Sequence, residues 1–170
     1  MADLIDELDG KVAIVTGSAR NIGRATAEEL ARAGAALVIN SVQAKDLCDE
    51  VAQGIRSSGG KAIPYVADVR DPEAVSEMVA TASREFGGVD IMIHNAAVRN
   101  NTSFEEMTLE TFSTTVDISI YGMFHLAKAV LPTMKERGGG SIVGVGGMSS
   151  TRGAKTRSHA MAANMGLNAF

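Results

Sequence analysis

Val12-Ala13-Ile14-Val15-Thr16-Gly17-Ser18-Ala19-Arg20-Asn21-Ile22-Gly23 decides the fold. Four apolar residues run straight into a turn that holds two glycines. From 22 to 33 the apolar residues Ile22, Ala25, Leu30 and Ala33 then fall near helical spacing, and Gly34 supplies the stop. A strand, a glycine-bearing turn and a helix N-terminus in direct succession make a place for an anion. Free backbone N–H groups and the positive end of the helix dipole converge there. Gly17 permits the tight turn, and Gly23 permits close packing or close approach of a ligand. The same turn also forms with nothing bound, so the motif by itself leaves both readings open.

Outward from this stretch the alternation continues. Leu37-Val38-Ile39 reads as a second strand, and 44–57 as a helix on Leu47, Val51 and Ile55, closed by Gly59-Gly60. Ala62-Ile63-Pro64-Tyr65-Val66 reads as a third strand, whose proline predicts an edge position or a strand start. Asp71-Pro72-Glu73 predicts a helix start, with Asp as N-cap, Pro in the first position and an acid in the first turn. That helix runs to Phe86 and stops at Gly87-Gly88. Residues 89–94 (VDIMIH) read as a fourth strand and 141–145 (SIVGV) as a fifth. Between them lies a long helix over 109–137 with a kink expected near Pro132, ended by Gly138-Gly139-Gly140. A loop over 146–157 and a helix over 158–170 follow. Strands alternating with helices imply βαβ units: one α/β domain with a doubly wound parallel sheet of about five strands.

Composition agrees and excludes several classes. The 170 residues are 45% hydrophobic and 21% charged, which is ordinary for a globular chain and excludes disorder or a collagen-like fibre. A net charge of −4 argues against a nucleic-acid partner. The basic group Arg152, Lys155 and Arg157 reads as a solvated loop. No run approaches the roughly 20 apolar residues of a membrane span, and residues 1–9 lack the basic start and apolar run of a secretory signal. The single Cys48 cannot form an internal disulfide, which fits a reducing compartment and a cytoplasmic location. With Asp49 and Glu50 beside it, Cys48 reads as a buried or idle thiol. His94, His125 and His159 lie too far apart for metal-ligand spacing, so no metal is expected. Met78, Met92, Met123, Met134, Met148, Met161 and Met165 read as core filler. Asp117, Tyr121 and His125 form a row on the long helix that is either functional or one face of a packed or interface helix.

The glycine spacing differs from G-x-G-x-x-G. It resembles the T-G-x-x-x-G-x-G motif of the short-chain dehydrogenase/reductase family, with Asn21 where the middle glycine stands. His94-Asn95-Ala96-Ala97 resembles that family's N-N-A-G, with His for the first Asn and Ala for the Gly. Asp68-Val69 resembles its adenine-contacting D-V pair. Gly88-Val89-Asp90 and Gly140-Ser141-Ile142-Val143 resemble the starts of its fourth and fifth strands. The resemblance implies a Rossmann-type sheet that holds a nicotinamide dinucleotide. Gly17, Ser18, Arg20, Asn21, Ile22 and Gly23 would line its pyrophosphate and ribose. Asp68 and Val69 would flank the adenine, and Asn95, Ala96 and Ala97 would run along the centre. An NAD site places an acid at the end of the second strand, where this chain has Asn40-Ser41-Val42. Arg20 offers a cation for a 2′-phosphate, so NADP is expected over NAD.

The family's chemistry is hydride transfer on a small-molecule carbonyl/alcohol pair. The proton donor is a Tyr, whose unperturbed pKa of about 10 needs a neighbouring cation to lower it. The family supplies that cation as Y-x-x-x-K. Here Val69 and His125 stand four residues after Tyr65 and Tyr121, so the motif is absent. Alignment by resemblance puts Ala160 at the Tyr position, Asn164 at the Lys position, Ser119 at the Asn position and Gly147 at the Ser position. A slip of one residue would bring His159 and Met148 there instead.

Three readings stand. One is an atypical enzyme in which His159 serves as the acid and Ser149 orients the carbonyl. The second is a dinucleotide-binding protein without catalysis. The third is a shortened chain, since family members continue through further strands and a substrate-covering segment. The family's helices also pair across subunits, so a homo-oligomer through 109–137 and 158–170 is expected. Its apolar stripe would be Leu109, Phe112, Val116, Ile120, Met123, Ala127, Val130 and Leu131.

Overall fold

The computed structural model describes residues 7–147 and 153–170. Five parallel strands form one sheet in the order β3-β2-β1-β4-β5. They are β1 (Val12–Val15), β2 (Ala36–Ser41), β3 (Lys61–Val66), β4 (Ile91–His94) and β5 (Ser141–Gly144). The helices α1 (Asn21–Arg32), α2 (Lys45–Ser57) and α3 (Pro72–Phe86) connect the first four strands. Strand side chains alternate between faces, and β1 feeds two cores accordingly. Ala13 and Val15 pack with Leu37 and Ile39 against α1 and α2 through Ala27, Cys48, Val51 and Ile55. Ile14 packs with Val38 and Met92 on the other face, against Val75, Met78 and Val79 of α3. Chain order reverses around β1, whose neighbours are β2 and β4. That reversal is the topological switch point, where open α/β sheets leave a crevice at the strand C-termini.

Local signals act as chemistry demands. Pro64, which cannot donate to a ladder, sits in the edge strand β3 opposite Ile39. The Asp71 carboxylate accepts the N–H groups of Glu73 and Ala74, both at 3.0 Å, and Gly87 closes the same helix at φ +87°. The Ala74 N–H in particular holds the Asp71 carboxyl below the usual carboxylate range. Asp71→Ala is therefore expected to lower the melting temperature at neutral pH, whereas Asp71→Ser, which still offers an oxygen, restores most of it. The Asp71 contribution is present above its unfolded pKa and lost as pH falls through the lowered folded value. Thermal melts at pH 7 and pH 3 check both statements.

The long helix differs from expectation. It is built as α4 (Leu109–Val116), a π turn (Asp117–Tyr121) and α5 (Gly122–Glu136). The irregularity lies at the π turn, and α5 runs on through Pro132, which sits on an exposed face where water can serve the carbonyl that loses its partner. The inserted residue also shifts the helix face, so the expected apolar stripe divides. Met123 and Val130 enter the core, while Leu109 is 79% exposed and Leu131 also faces out. The Asp117, Tyr121, His125 row divides likewise. Tyr121 is exposed, and His125 Nδ1 donates to the Val69 carbonyl at 3.1 Å. Helix α6 (Ser158–Asn168) packs Leu167 into the second core beside Gly144. Met78, Met92, Met123 and Met134 are core, Met165 is exposed, and Met148 lies outside the described residues. Cys48 is free and fully buried, and burial pushes its thiol pKa up.

Candidate functional site

At the C-terminal ends of β1 and β4 the turn after β1 is clamped by one buried threonine. Thr16 Oγ1 accepts the backbone N–H groups of Asn95 and Ala96, each at 3.0 Å. In return, Asn95 Nδ2 donates to the carbonyls of Thr16 (3.0 Å) and Gly17 (3.2 Å). The backbone then doubles back. Gly17 has φ +63° and Asn21 φ +53°, and Asn21 is the only non-glycine with positive φ among the described residues. Asn tolerates that left-handed conformation better than most side chains, which is why it can stand where a glycine is expected. Gly23 lies so near Gly17 that a Cβ there would press on the Gly17 carbonyl oxygen and come within 2.5 Å of Asn95 Nδ2. Helix α1 therefore starts tight against the turn, with no side chain capping it, whereas Asp71 caps α3 and Thr108 caps α4. Uncapped first-turn N–H groups beside a glycine turn suit a phosphate.

These elements border a cleft of about 550 Å³. Gly17, Arg20, Asn21, Ile22 and Gly23 line one side, and Asn95, Ala96 and Ala97 the floor. Asn40, Ser41, Asp68 and Val69 line the far end, with Arg70, Arg99, Thr114 and Ile118, which sequence reasoning missed. A larger hollow of about 960 Å³ between Lys11, Gly34 and Gly59 lies at the opposite end of the sheet, away from the turn. Ser18 does not line the cleft. It is fully buried, its hydroxyl donates to the Val15 carbonyl (2.6 Å), and it accepts the Asn40 N–H (2.9 Å). Asn40 is also turned inward, with Nδ2 donating to Ala67 O at 3.1 Å, while Ser41 Oγ accepts the Ala44 N–H. Both residues brace the rim. Arg70 grips the Asp68 carboxylate at 2.6 to 3.0 Å and holds its pKa below the usual range. Arg24 is paired with Glu28 and Glu50, while among the described residues Arg20 has no carboxylate partner.

Residues 11–170 match the family described as short chain dehydrogenase. The chain belongs to the short-chain dehydrogenase family. It is 31% identical over 163 residues to a 3-oxoacyl-[acyl-carrier-protein] reductase of Synechocystis, covering 96% of this chain and 66% of that protein. It is 34% identical over 165 residues to a 2-dehydro-3-deoxy-D-gluconate 5-dehydrogenase of Formosa agariphila (97% and 62% covered). It is 36% identical over 161 residues to an L-rhamnose 1-dehydrogenase (NAD(P)(+)) of Azotobacter vinelandii (92% and 63% covered). The chain spans between 46% and 66% of the length of these and similar curated relatives. A short-chain dehydrogenase takes a nicotinamide dinucleotide, and the glycine turn and the uncapped α1 at the switch point are the features of this chain that suit a pyrophosphate.

The family's chemical positions are less well furnished in this chain. Ser119 lies in the π turn and is only 8% exposed. Gly147 is exposed, Ala160 and Asn164 are half-buried on α6, and Ser149 lies outside the described residues. His159 is fully buried, neither ring nitrogen has a hydrogen-bond partner among the described residues, and it does not line the cleft. The α6 register points it into the fold, away from the described lining of the cleft. Among the described residues the cleft lining holds no Tyr, Lys, His or Cys.

Proposed function

We propose that the cleft binds NADP and that the chain is the dinucleotide-binding part of a short-chain oxidoreductase with an atypical active site. Its substrate would be a small carbonyl/alcohol pair. The bound nicotinamide would supply the hydride acceptor or donor. The carrying observation is the Arg20 guanidinium, without a carboxylate partner among the described residues, at the mouth of an uncapped α1, with no carboxylate at the end of β2 to repel a 2′-phosphate. Asn95 to Ala97 would support the centre of the cofactor, and Asp68 its adenine end. Ser119, Asn164 and Ser149 are the groups of the chain nearest in sequence to the family's chemistry.

A second reading, nucleotide binding without turnover, is favoured by the burial of His159 and by the lack of a Tyr, Lys, His or Cys in the described lining. Leu109, Tyr121, Phe124 and Leu131 on α4 to α5, with Met165 and Phe170 near the chain end, are exposed and support pairing of two copies. The free, buried Cys48 supports a cytoplasmic setting. Among the described residues no helix is long and apolar enough to cross a membrane, and no cluster of His, Cys, Asp or Glu could hold a metal.

Fluorescence titration with NADPH and NADH tests the reading. Arg20→Ala should weaken NADPH binding by about tenfold or more, the scale of one charge-assisted hydrogen bond, and leave NADH nearly unchanged. Equal loss for both refutes the NADP preference. Turnover of a ketone and alcohol panel then separates the two readings. Binding without turnover leaves the second, and no binding of either nucleotide removes both.

A further inference from the structure

His94 departs from the family's motif at a buried position, and its ring lies between Thr16 and the π turn. It is 1% exposed. Nδ1 lies 3.2 Å from Thr16 Oγ1, and Nε2 lies 3.0 Å from the carbonyl oxygen of Ile118. A carbonyl only accepts, so Nε2 carries the proton and donates. Thr16 Oγ1 already accepts from Asn95 and Ala96, which uses both its lone pairs. Its one hydrogen therefore goes to Nδ1, which must be bare. One neutral tautomer satisfies every polar atom along the row from Ala96 through Thr16 and His94 to Ile118. Burial favours the neutral ring and pushes its pKa down, against the raising influence of the Ile118 and Ser119 carbonyls.

The far end of the row explains the helix irregularity. Ile118 belongs to the π turn, and a side chain that enters a helix's hydrogen-bond ladder is a recognised cause of such a break. Gly122 follows at once, and a Cβ there would lie 2.9 Å from Val69 Cγ2 and 3.3 Å from His94 Cε1. A glycine at that position lets the helix approach Val69 and His94 this closely without crowding. Asn95 and Ala96 line one part of the cleft and Ile118 another, so the row runs beneath it.

We infer that His94 is a positioning residue for the nucleotide: its Nε2–H tautomer ties the Thr16–Ala96 wall to the π turn that carries Ile118 and Ser119. The inference rests on the nucleotide reading above. Three variants divide the two bonds. His94→Asn keeps an acceptor at the δ position, His94→Gln keeps a donor at the ε position, and His94→Phe keeps the ring without either. NADPH titration should show affinity about tenfold weaker in His94→Phe, the scale of one to two net hydrogen bonds, with the Asn and Gln variants between it and wild type. Melting temperature is read alongside. A merely structural role would move the melting temperature and leave the affinity of the folded variants untouched.

Nitrogen-edited NMR of the nucleotide-free wild type should show Nε2 protonated and Nδ1 bare at pH 7. A protonated Nδ1 overturns the inference, and so does wild-type affinity in folded His94→Phe. If His94→Phe does not fold, the same comparison falls on the Asn and Gln variants. A wild type that binds no NADPH ends the nucleotide reading and the purpose given to His94, while the NMR signature still reports separately whether the link exists.

Discussion

Gly23→Ala is expected to eliminate measurable NADPH binding and to lower the melting temperature by several degrees. The added methyl would press on the Gly17 carbonyl oxygen, and would stand 2.5 Å from Asn95 Nδ2 and 2.9 Å from the Gly17 carbonyl carbon. Two of these three atoms are backbone. The third is no flexible tip, because Asn95 Nδ2 is held by the Thr16 and Gly17 carbonyls at 3.0 and 3.2 Å. The clash is relieved only if α1 lifts away from the turn. Overpacking of this kind costs about 1–3 kcal/mol or more, and each kcal/mol shifts melting by about 2–4 °C in a chain of this size. Binding suffers further, because the lifted helix carries away the N–H groups aimed at the phosphates. An affinity loss of at least about a hundredfold is expected, equivalent to two missing hydrogen bonds to a charged group. Gly54→Ala is the control. It lies within α2, a Cβ there meets nothing within 4 Å, and it should be neutral or stabilising by up to about 1 kcal/mol. Calorimetry and NADPH titration on both variants decide the matter, and a Gly23→Ala protein that binds like wild type would show that helix and turn are not packed this closely.

The sequence carried the features that act locally or periodically. β1, the turn and α1 were legible because a four-residue apolar run, two glycines and helical spacing lie side by side in the chain. The α3 start was legible because Asp71, Pro72 and Glu73 each favour it for a separate reason. Pro64 announced an edge because its missing N–H acts wherever it sits. What was illegible depends on partners distant in sequence. The π turn arises where His94, from another strand, meets Ile118, and no periodicity within 109–137 reports that meeting. Pro132 carries the stronger local signal, yet it lies on an exposed face where a lost backbone bond can be served by water. Ser18 was placed on the ligand by its position in the family's glycine motif, and Asn40 by its position at the end of the second strand. Their side chains instead satisfy backbone groups of neighbouring strands, a need that exists only once β1, β2 and β3 are assembled. His159 looked suited to chemistry by its place beside the family's Tyr position and by its pKa class, but the register of α6 turns it inward. Arg70 escaped attention because its grip on Asp68 reads in sequence as a pair of loop charges.

Asp90→Ala is expected to cause the second large effect, and it should do so without touching the cleft. Asp90 sits beside the start of β4, at the opposite end of the sheet from Gly23, and its carboxylate is almost completely buried. Oδ2 accepts the Val12 N–H at 2.9 Å and an Arg137 N–H at 2.8 Å, and Lys11 Nζ stands 3.6 Å from Oδ1. Arg137 also donates to the carbonyls of Gly10 (2.9 Å) and Gly87 (3.2 Å), so one side-chain pair joins β1, the end of α3, β4 and the end of α5. Removing the carboxylate strands the buried Val12 N–H and takes a charge-assisted bond from Arg137, which keeps its Gly10 and Gly87 carbonyls, at a cost of about 2–4 kcal/mol. That is a large share of a domain stability of about 5–15 kcal/mol. Burial by itself would raise the Asp90 pKa, but the Arg137 and Val12 hydrogen bonds, with the charges of Arg137 and Lys11, outweigh it and hold the pKa below the usual value. The sign of the linkage follows. The contribution is fully present above the unfolded value of about 3.9 and is lost as pH falls through the lower folded value. Wild type should therefore lose stability steeply below about pH 4, while Asp90→Ala, already without the pair, should show a shallower acid limb. Asp90→Asn keeps an oxygen for Val12 but gives up the charge, and should fall between them. NADPH affinity of the folded fraction should match wild type in both variants, in contrast to Gly23→Ala. Chemical denaturation across pH 3–7 reads the result, and an acid limb as steep in Asp90→Ala as in wild type would mean that some other carboxylate controls acid stability.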